Sequence, residues 1–131
     1  MTYLIDSDYV ADWLQGTARA AQIRDALGSE QLAISIITYG EIYEGIYYGR
    51  DPHAAEKVFL QFLRSVDVLP LTRRIMRRFA RIRGDLRARG QLIGDPDILI
   101  AATALHHGLT LVTRNVTHFR RIPGLKLCEQ R

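Results

Sequence analysis

The sequence predicts an α/β domain: a mostly parallel central sheet of about four to five short strands, flanked by helices on both faces. Three observations predict it. Short runs that are apolar almost throughout, such as Leu32-Ala33-Ile34-Ser35-Ile36 and Leu109-Thr110-Leu111-Val112-Thr113, are the signature of strands covered on both faces. Longer stretches with helical spacing separate them, and strand–helix alternation favours parallel pairing through crossovers. Hydroxyl, carboxylate and glycine residues then punctuate the helical stretches at their starts and stops. One domain over residues 1–131 is expected for this length, with no linker, repeat or low-complexity segment.

Taken in order, Tyr3-Leu4-Ile5 is a buried strand that ends in Asp6-Ser7-Asp8. Val10 to Leu14 is helical. Thr17 caps a second helix with Ala20, Ile23 and Leu27 on one face and Gly28 as its stop. Leu32 to Ile36 is the second strand. Thr38-Tyr39-Gly40-Glu41 fits a capping box, opening a helix that carries Ile42 and Ile46 and stops at Gly49. Asp51-Pro52 is a cap followed by a first-turn proline, and Val58, Phe59, Phe62 and Leu63 face inward behind it. Val66 to Leu71 is a third strand. Thr72 caps a long helix with Ile75, Phe79, Ile82 and Leu86 as its core stripe, ended by Gly90. Asp95-Pro96 is again a cap plus proline, and Gly108 stops that helix after His106-His107. Leu109 to Thr113 is the fourth strand, and Leu125-Lys126-Leu127 a short edge strand. Trp13 is expected in the core. The helix dipole is reason enough for His106 and His107.

Composition narrows the function classes. The apolar fraction of 47% and charged fraction of 24% suit a globular chain that can bury a core without disulfides. Cys128 is the sole cysteine, which fits a reducing compartment. Ile98 to Leu105 is too short to cross a bilayer, and the N-terminus lacks the basic and apolar regions of a signal peptide. No membrane association and a cytoplasmic location are expected. The net charge of +4 favours a polyanionic partner. Nearly all the positive charge is arginine, whose planar fork suits phosphate and carboxylate.

In a parallel α/β sheet, ligands bind beyond the C-terminal strand ends. Asp6, Ser7 and Asn115 end predicted strands, while Glu41, Asp95 and Asp97 open the helices that follow loops. Each acid has an ordinary structural explanation: a capping box for Glu41, a cap for Asp95, the helix dipole for Asp97, turns for Asp6 and Asp8. Gathered at one edge, however, Asp6, Glu41 and Asp97 repel one another unless a cation offsets their charge. Oxygen ligands without a cysteine or histidine cluster suit Mg²⁺, with Mn²⁺ as the alternative, rather than Zn²⁺.

Four segments resemble the PIN-domain family, and within it the VapC-type toxin ribonucleases. They are Tyr3-Leu4-Ile5-Asp6-Ser7, Ser35-Ile36-Ile37-Thr38-Tyr39-Gly40-Glu41, Asp97-Ile98-Leu99-Ile100-Ala101-Ala102-Thr103-Ala104-Leu105, and Leu111-Val112-Thr113-Arg114-Asn115 with Phe119. They follow the family's order and span nearly the whole chain. The resemblance implies a PIN-like fold and a metal-dependent endoribonuclease, the toxin of a toxin–antitoxin module. It implies Asp6, Glu41 and Asp97 as the core acids that ligate the metal, and Asn115 at the fourth catalytic position, where the family often has Asp. Ser7, Thr113 and Asp95 would support the ligands from behind. His118 is assigned no role. The implied partners are an RNA substrate, transfer RNA first, and a cognate antitoxin, in a homodimer or a toxin–antitoxin hetero-oligomer. The implied chemistry is hydrolysis to a 5′-phosphate and a 3′-hydroxyl.

The stretch Arg73 to Arg89 is the strongest charge feature. It reads as a solvated helix face, a phosphate-binding surface or an antitoxin contact. Arg73, Arg77, Arg81 and Arg114 are the candidate RNA contacts. Tyr39, Tyr43, Tyr47 and Tyr48 read as core or dimer interface before base-stacking platforms. Two alternatives compete. Asp6-Ser7-Asp8 also fits a haloacid-dehalogenase-like phosphatase with Asp6 as nucleophile, for which Lys57 is the only candidate lysine. A non-catalytic PIN-like module that binds RNA or a partner is the other.

Overall fold

Five short parallel strands build the centre of the computed structural model, which describes residues 2–28 and 30–128, the Arg19 side chain excepted. Tyr3–Ile5 is β1, Leu32–Ser35 β2, Val66–Leu69 β3, Thr110–Val112 β4 and Lys126–Cys128 β5. Their order across the sheet is β3-β2-β1-β4-β5. The chain therefore leaves the central strand β1 on one side, builds β2 and β3, then crosses back to lay β4 against β1's other edge. The register Leu4↔Leu111 and Ile5↔Val112 fixes that junction.

Side-chain alternation splits the core in two, because successive strand residues point to opposite faces. Leu4, Ala33 and Leu111 face a cluster built by α5 (Arg73–Ala88) and α6 (Asp95–His107), with Leu86, Ile98, Ala101 and Ala104. Ile5, Ile34 and Val112 face the other cluster. Against them pack α1 (Ser7–Gln15), α2 (Ala18–Leu27), α3 (Ile36–Tyr47) and α4 (Pro52–Leu63), through Val10, Ile23, Ile42, Phe59 and Phe62. Fully burying one such side chain contributes roughly 1.5–3 kcal/mol. Trp13 is only partly buried and lies edge-on to Phe62, with the Arg24 guanidinium over its ring. Tyr39 and Tyr43 pack against the second cluster, whereas Tyr47 and Tyr48 are exposed. No described helix is long and apolar enough to cross a membrane.

Helix α6 is buried nearly all round: Ile98 and the run Ile100 to Ala104 lose their contact with water. Thr103, the one hydroxyl in that run, donates to the Leu99 carbonyl at 2.8 Å, so burying it leaves no unpaired group. Gly108 follows the helix at φ 66°, a left-handed C-cap that favours a residue without a Cβ.

Caps at Thr17, Asp51 and Thr72 are where the sequence places them. Three other helix starts are not. The helix expected from Thr38 begins at Ile36, because Ser35 ends β2 in extended geometry and its hydroxyl accepts from the Ile37 amide at 3.0 Å. Thr38 is instead fully buried one turn in, and Glu41 closes no capping box. The first helix begins at Ser7, not Val10, because Asp6 is its N-cap and accepts from the Ser7 amide at 2.8 Å. Asp8 is thereby a first-turn helical residue and not a turn acid. Gly94, with no side chain, occupies the N-cap of α6, so Asp95 is inside the helix and caps nothing. The third strand stops at Leu69, before Pro70, which cannot donate to a ladder. A short helix α7 (Val116–Phe119), which no periodic pattern predicts, follows β4.

Candidate active site

The point where strand order reverses, between β1 and β4, is where an open parallel sheet leaves a crevice at its C-terminal edge. Asp6 follows β1 directly and Thr113 follows β4 directly. The Asp6 amide donates to the Val112 carbonyl at 2.9 Å, carrying the β1–β4 ladder one bond further. This holds the Asp6 carboxylate at the mouth, only 4% exposed. Both its oxygens are engaged: Oδ1 accepts from the Ser7 amide at 2.8 Å and Oδ2 from the Thr113 hydroxyl at 2.6 Å.

Glu41 reaches the same mouth from the second turn of α3. Its Oε1 accepts from the Ser7 hydroxyl at 2.6 Å. Thr38 Oγ1 lies 3.1 Å from Ser7 Oγ. The Ser7 proton is committed to the carboxylate, so the buried Thr38 hydroxyl supplies the proton of that second contact. Ser7 thus ties two acids together, Asp6 through its amide and Glu41 through its hydroxyl.

Asp97, in the first turn of α6, is half-buried, and its carboxyl is raised above the ordinary range. Burial is the main cause; Glu41 and Asp8 add to it and His118 opposes it. Burial also pushes the Asp6 carboxyl up to about 6. The hydrogen bonds from Thr113 and Ser7 pull it back, and Asp97 and Asp8 push it further up. These acids feel one another, so they share one electrostatic site. Their repulsion is what a bound cation would relieve.

Asn115, at the start of α7, donates its side-chain amide to His118 Nδ1 at 2.8 Å, and its backbone amide donates to Thr113 Oγ1 at 3.0 Å. Thr113 therefore relays between Asn115 and Asp6. Asp8 and His118 join the site, although the sequence assigns neither of them to it. The Asn-x-x-His spacing and the capping ability of Asp6 were the available signals.

Asp95 is not brought into the group. Its carboxylate accepts from Arg83 Nε at 2.8 Å and stands well into solvent. Arg114 is committed to Asp12 at 2.9 Å, a pair that ties the β4–α7 connection to α1. Arg73, Arg77 and Arg81 are exposed along α5.

The donor set fits a hard dication in kind, being carboxylate and amide oxygen with no thiolate. Among the described residues no three His, Cys, Asp or Glu side chains close into a group that could hold an ion.

Residues 3–125 match the PIN domain family. The chain is 33% identical over 129 residues to Ribonuclease VapC1 of Methanocaldococcus jannaschii, covering 97% of this chain and 87% of that relative. The chain belongs to the PIN-domain family of VapC ribonucleases. Two of the similar solved structures match along nearly the whole chain. VapBC2 from Rickettsia felis, bound to a DNA fragment from its promoter, superposes with a TM-score of 0.91 over 100% of both chains at 24% identity, a likeness of fold. A toxin–antitoxin complex from Klebsiella pneumoniae superposes with a TM-score of 0.79 at 28% identity, covering 98% of this chain and 97% of that one. The expected PIN-like α/β fold is borne out. The phosphatase alternative is not favoured, since the family match runs through β1, α3, α6 and β4 together.

Proposed function

We propose that this VapC-family ribonuclease is an endoribonuclease toxin whose metal, Mg²⁺ with Mn²⁺ as substitute, is held by Asp6, Asp97 and Glu41. The observation that carries the reading is Asp6: a carboxylate at the strand-order reversal, fixed on both oxygens, and pushed up mainly by burial, with Asp97 and Asp8 adding to it. Burying a carboxylate beside other acids costs stability, which a bound cation would offset. A divalent cation at this mouth supplies Lewis acidity toward a phosphodiester and a water.

The chain's own residues do the positioning. Thr113 and the Ser7 amide fix the direction of the Asp6 carboxylate. The Ser7 hydroxyl, backed by Thr38, holds Glu41 beside it. Asn115 steadies Thr113 through its backbone amide, and its side chain brings an oxygen but no charge. His118 offsets part of the negative charge near Asp97. Asp95 is better read as the partner of Arg83 than as a support to the ligands. Transfer RNA is the substrate class we favour. By analogy with the similar toxin–antitoxin complex, a cognate antitoxin is the expected protein partner.

Sequencing of RNA 5′ ends after brief induction of wild type and Asp97→Asn tests this. New 5′-phosphate ends, concentrated in transfer RNA, are expected with wild type alone. The same ends in both, or none in either, would contradict the proposal.

A further inference from the structure

The acidic mouth is not the only concave feature. Between α5 and the segment 122–124, over Leu105 near the end of α6, lies a groove of about 710 Å³. Five guanidinium-bearing residues line it, Arg74, Arg77, Arg78, Arg81 and Arg89, against one carboxylate, Asp85. Among the described residues the ion pairs are Arg83–Asp95 and Arg114–Asp12, so neither serves these arginines. Arg89 is partly engaged, donating to the Arg121 carbonyl at 3.0 Å. Arg74, Arg77, Arg78 and Arg81 line one concavity with Asp85, one turn beyond Arg81, as the single acid among them.

Like charges held this close destabilise a fold unless something offsets them. On a solvated helix face acids at i+4 would offset most of them, whereas here Asp85 is the one acid at that spacing. Here they line one groove instead. Arg74, Arg78, Arg81, Asp85 and Arg89 fall on one face of α5, spanning about 22 Å at 1.5 Å per residue. A nucleic-acid strand laid along the helix would present several phosphates over that length. Leu105 and Asp97 lie on the same helix, about 12 Å apart along its axis. The groove is therefore separate from the acids yet within reach of one strand that also enters them.

We infer that this groove is a phosphate-backbone docking site for RNA, remote from the cleavage site and blind to base sequence. The inference rests on the ribonuclease reading for the identity of the polyanion. It adds a second anchoring point that the acids, themselves repulsive to phosphate, do not supply. Arginine is suited to this because its planar fork meets phosphate oxygens two at a time. The favoured occupant is RNA rather than an acidic peptide because the charge runs as a stripe along the helix, the geometry of a regularly spaced polyanion.

The test is binding of a labelled single-stranded RNA by the full chain, measured over a salt series with chelator present so that no cleavage intervenes. The combined variant Arg74→Gln, Arg78→Gln and Arg81→Gln should bind at least ~10-fold more weakly. Its log–log salt slope should fall by about 2, or ~0.7 per lost phosphate contact. Asp85→Asn should change affinity in the opposite direction, tightening binding, an outcome that misfolding cannot mimic. Unchanged affinity and slope in the arginine variant would overturn the docking site, as would loss of binding to an acidic peptide with RNA binding intact. If wild type cleaves this RNA with Mg²⁺ while the variant's binding is unchanged, the groove is wrong and the ribonuclease reading stands. If wild type neither binds nor cleaves any RNA, the reading itself fails.

Discussion

The mouth at β1 and β4 and the outer face of α5 are both strongly charged, but they are built in opposite ways. At the mouth, charge is sparse and restrained: Asp6 has both oxygens hydrogen-bonded, and Glu41 is held by Ser7. On α5, charge is dense and loose, with arginines in solvent and few partners. Restraint suits a site that must present oxygens to a small ion in fixed directions. Loose, repeated charge suits a flexible polyanion, where the number of contacts matters more than the geometry of any one. The mouth should therefore be sensitive to single conservative changes, and the arginines of the α5 face mainly to several changes together.

The largest effect is expected for the acids themselves. Asp6→Asn, Glu41→Gln and Asp97→Asn keep shape and remove charge, and each should lower Mg²⁺-dependent cleavage by more than ~100-fold, beyond what loss of a supporting group costs. Steady-state cleavage of a defined RNA with each variant checks this. Near-wild-type turnover in all three would remove the proposed site.

The second effect is on stability, with the sign set by linkage. The Asp6 carboxyl titrates near 6 in the fold against 3.8 as its ordinary value. Its raised pKa means the folded chain binds the proton more tightly, so this group's contribution to stability is lost as pH rises from about 4 to about 6. Asp97 is displaced in the same direction. Without divalent cation, Asp6→Asn should therefore stabilise the protein at pH 7.5 by up to about 3 kcal/mol, since each tenfold change in proton affinity is worth ~1.4 kcal/mol. Urea unfolding of both proteins across that pH range measures it. A destabilised variant with an unchanged pH profile would show that Asp6 is not held against a cost.

Thr113→Val should come next. It leaves Asp6 Oδ2 without its donor and should lower activity roughly 10–100-fold, while Thr113→Ser retains the hydroxyl and most of the activity. Equal losses in both would mean that Thr113 acts by packing and not by aiming Asp6. The smallest effect is expected at the exposed Arg83–Asp95 pair, where Asp95→Ala should cost no more than ~1 kcal/mol and leave cleavage unchanged. A collapse of activity there would move Asp95 back among the supporting groups.

The contrast between restrained and loose charge also explains what is legible in the sequence. The parallel sheet is legible because β1, β2 and β4 are apolar on both faces, and that leaves few architectures open. The acids that follow strands or open helices are legible for the same reason. The helix starts are not always so. Ser35 and Thr38 are both hydroxyls able to cap, and only the pairing of Ser35 with Leu69 in the sheet decides that the earlier one does. Asp95 resembles a cap because a proline follows it. Its real partner, Arg83, lies twelve positions earlier on another helix, a contact no local pattern encodes. Asp8 reads as a turn residue only while the capping role of Asp6 goes unrecognised; with Asp6 as the cap, Asp8 falls in the helix beside the site. His118 enters through a short helix whose few residues carry no periodic signal.

Everything proposed for the mouth depends on a divalent ion binding there and nowhere else on the chain. Mn²⁺ titration followed by paramagnetic broadening of amide resonances tests it directly. The expected result is broadening confined to residues 6–8, 41, 97 and 113–118, and abolished by Asp6→Asn. Broadening centred elsewhere, or unchanged in Asp6→Asn, would contradict it.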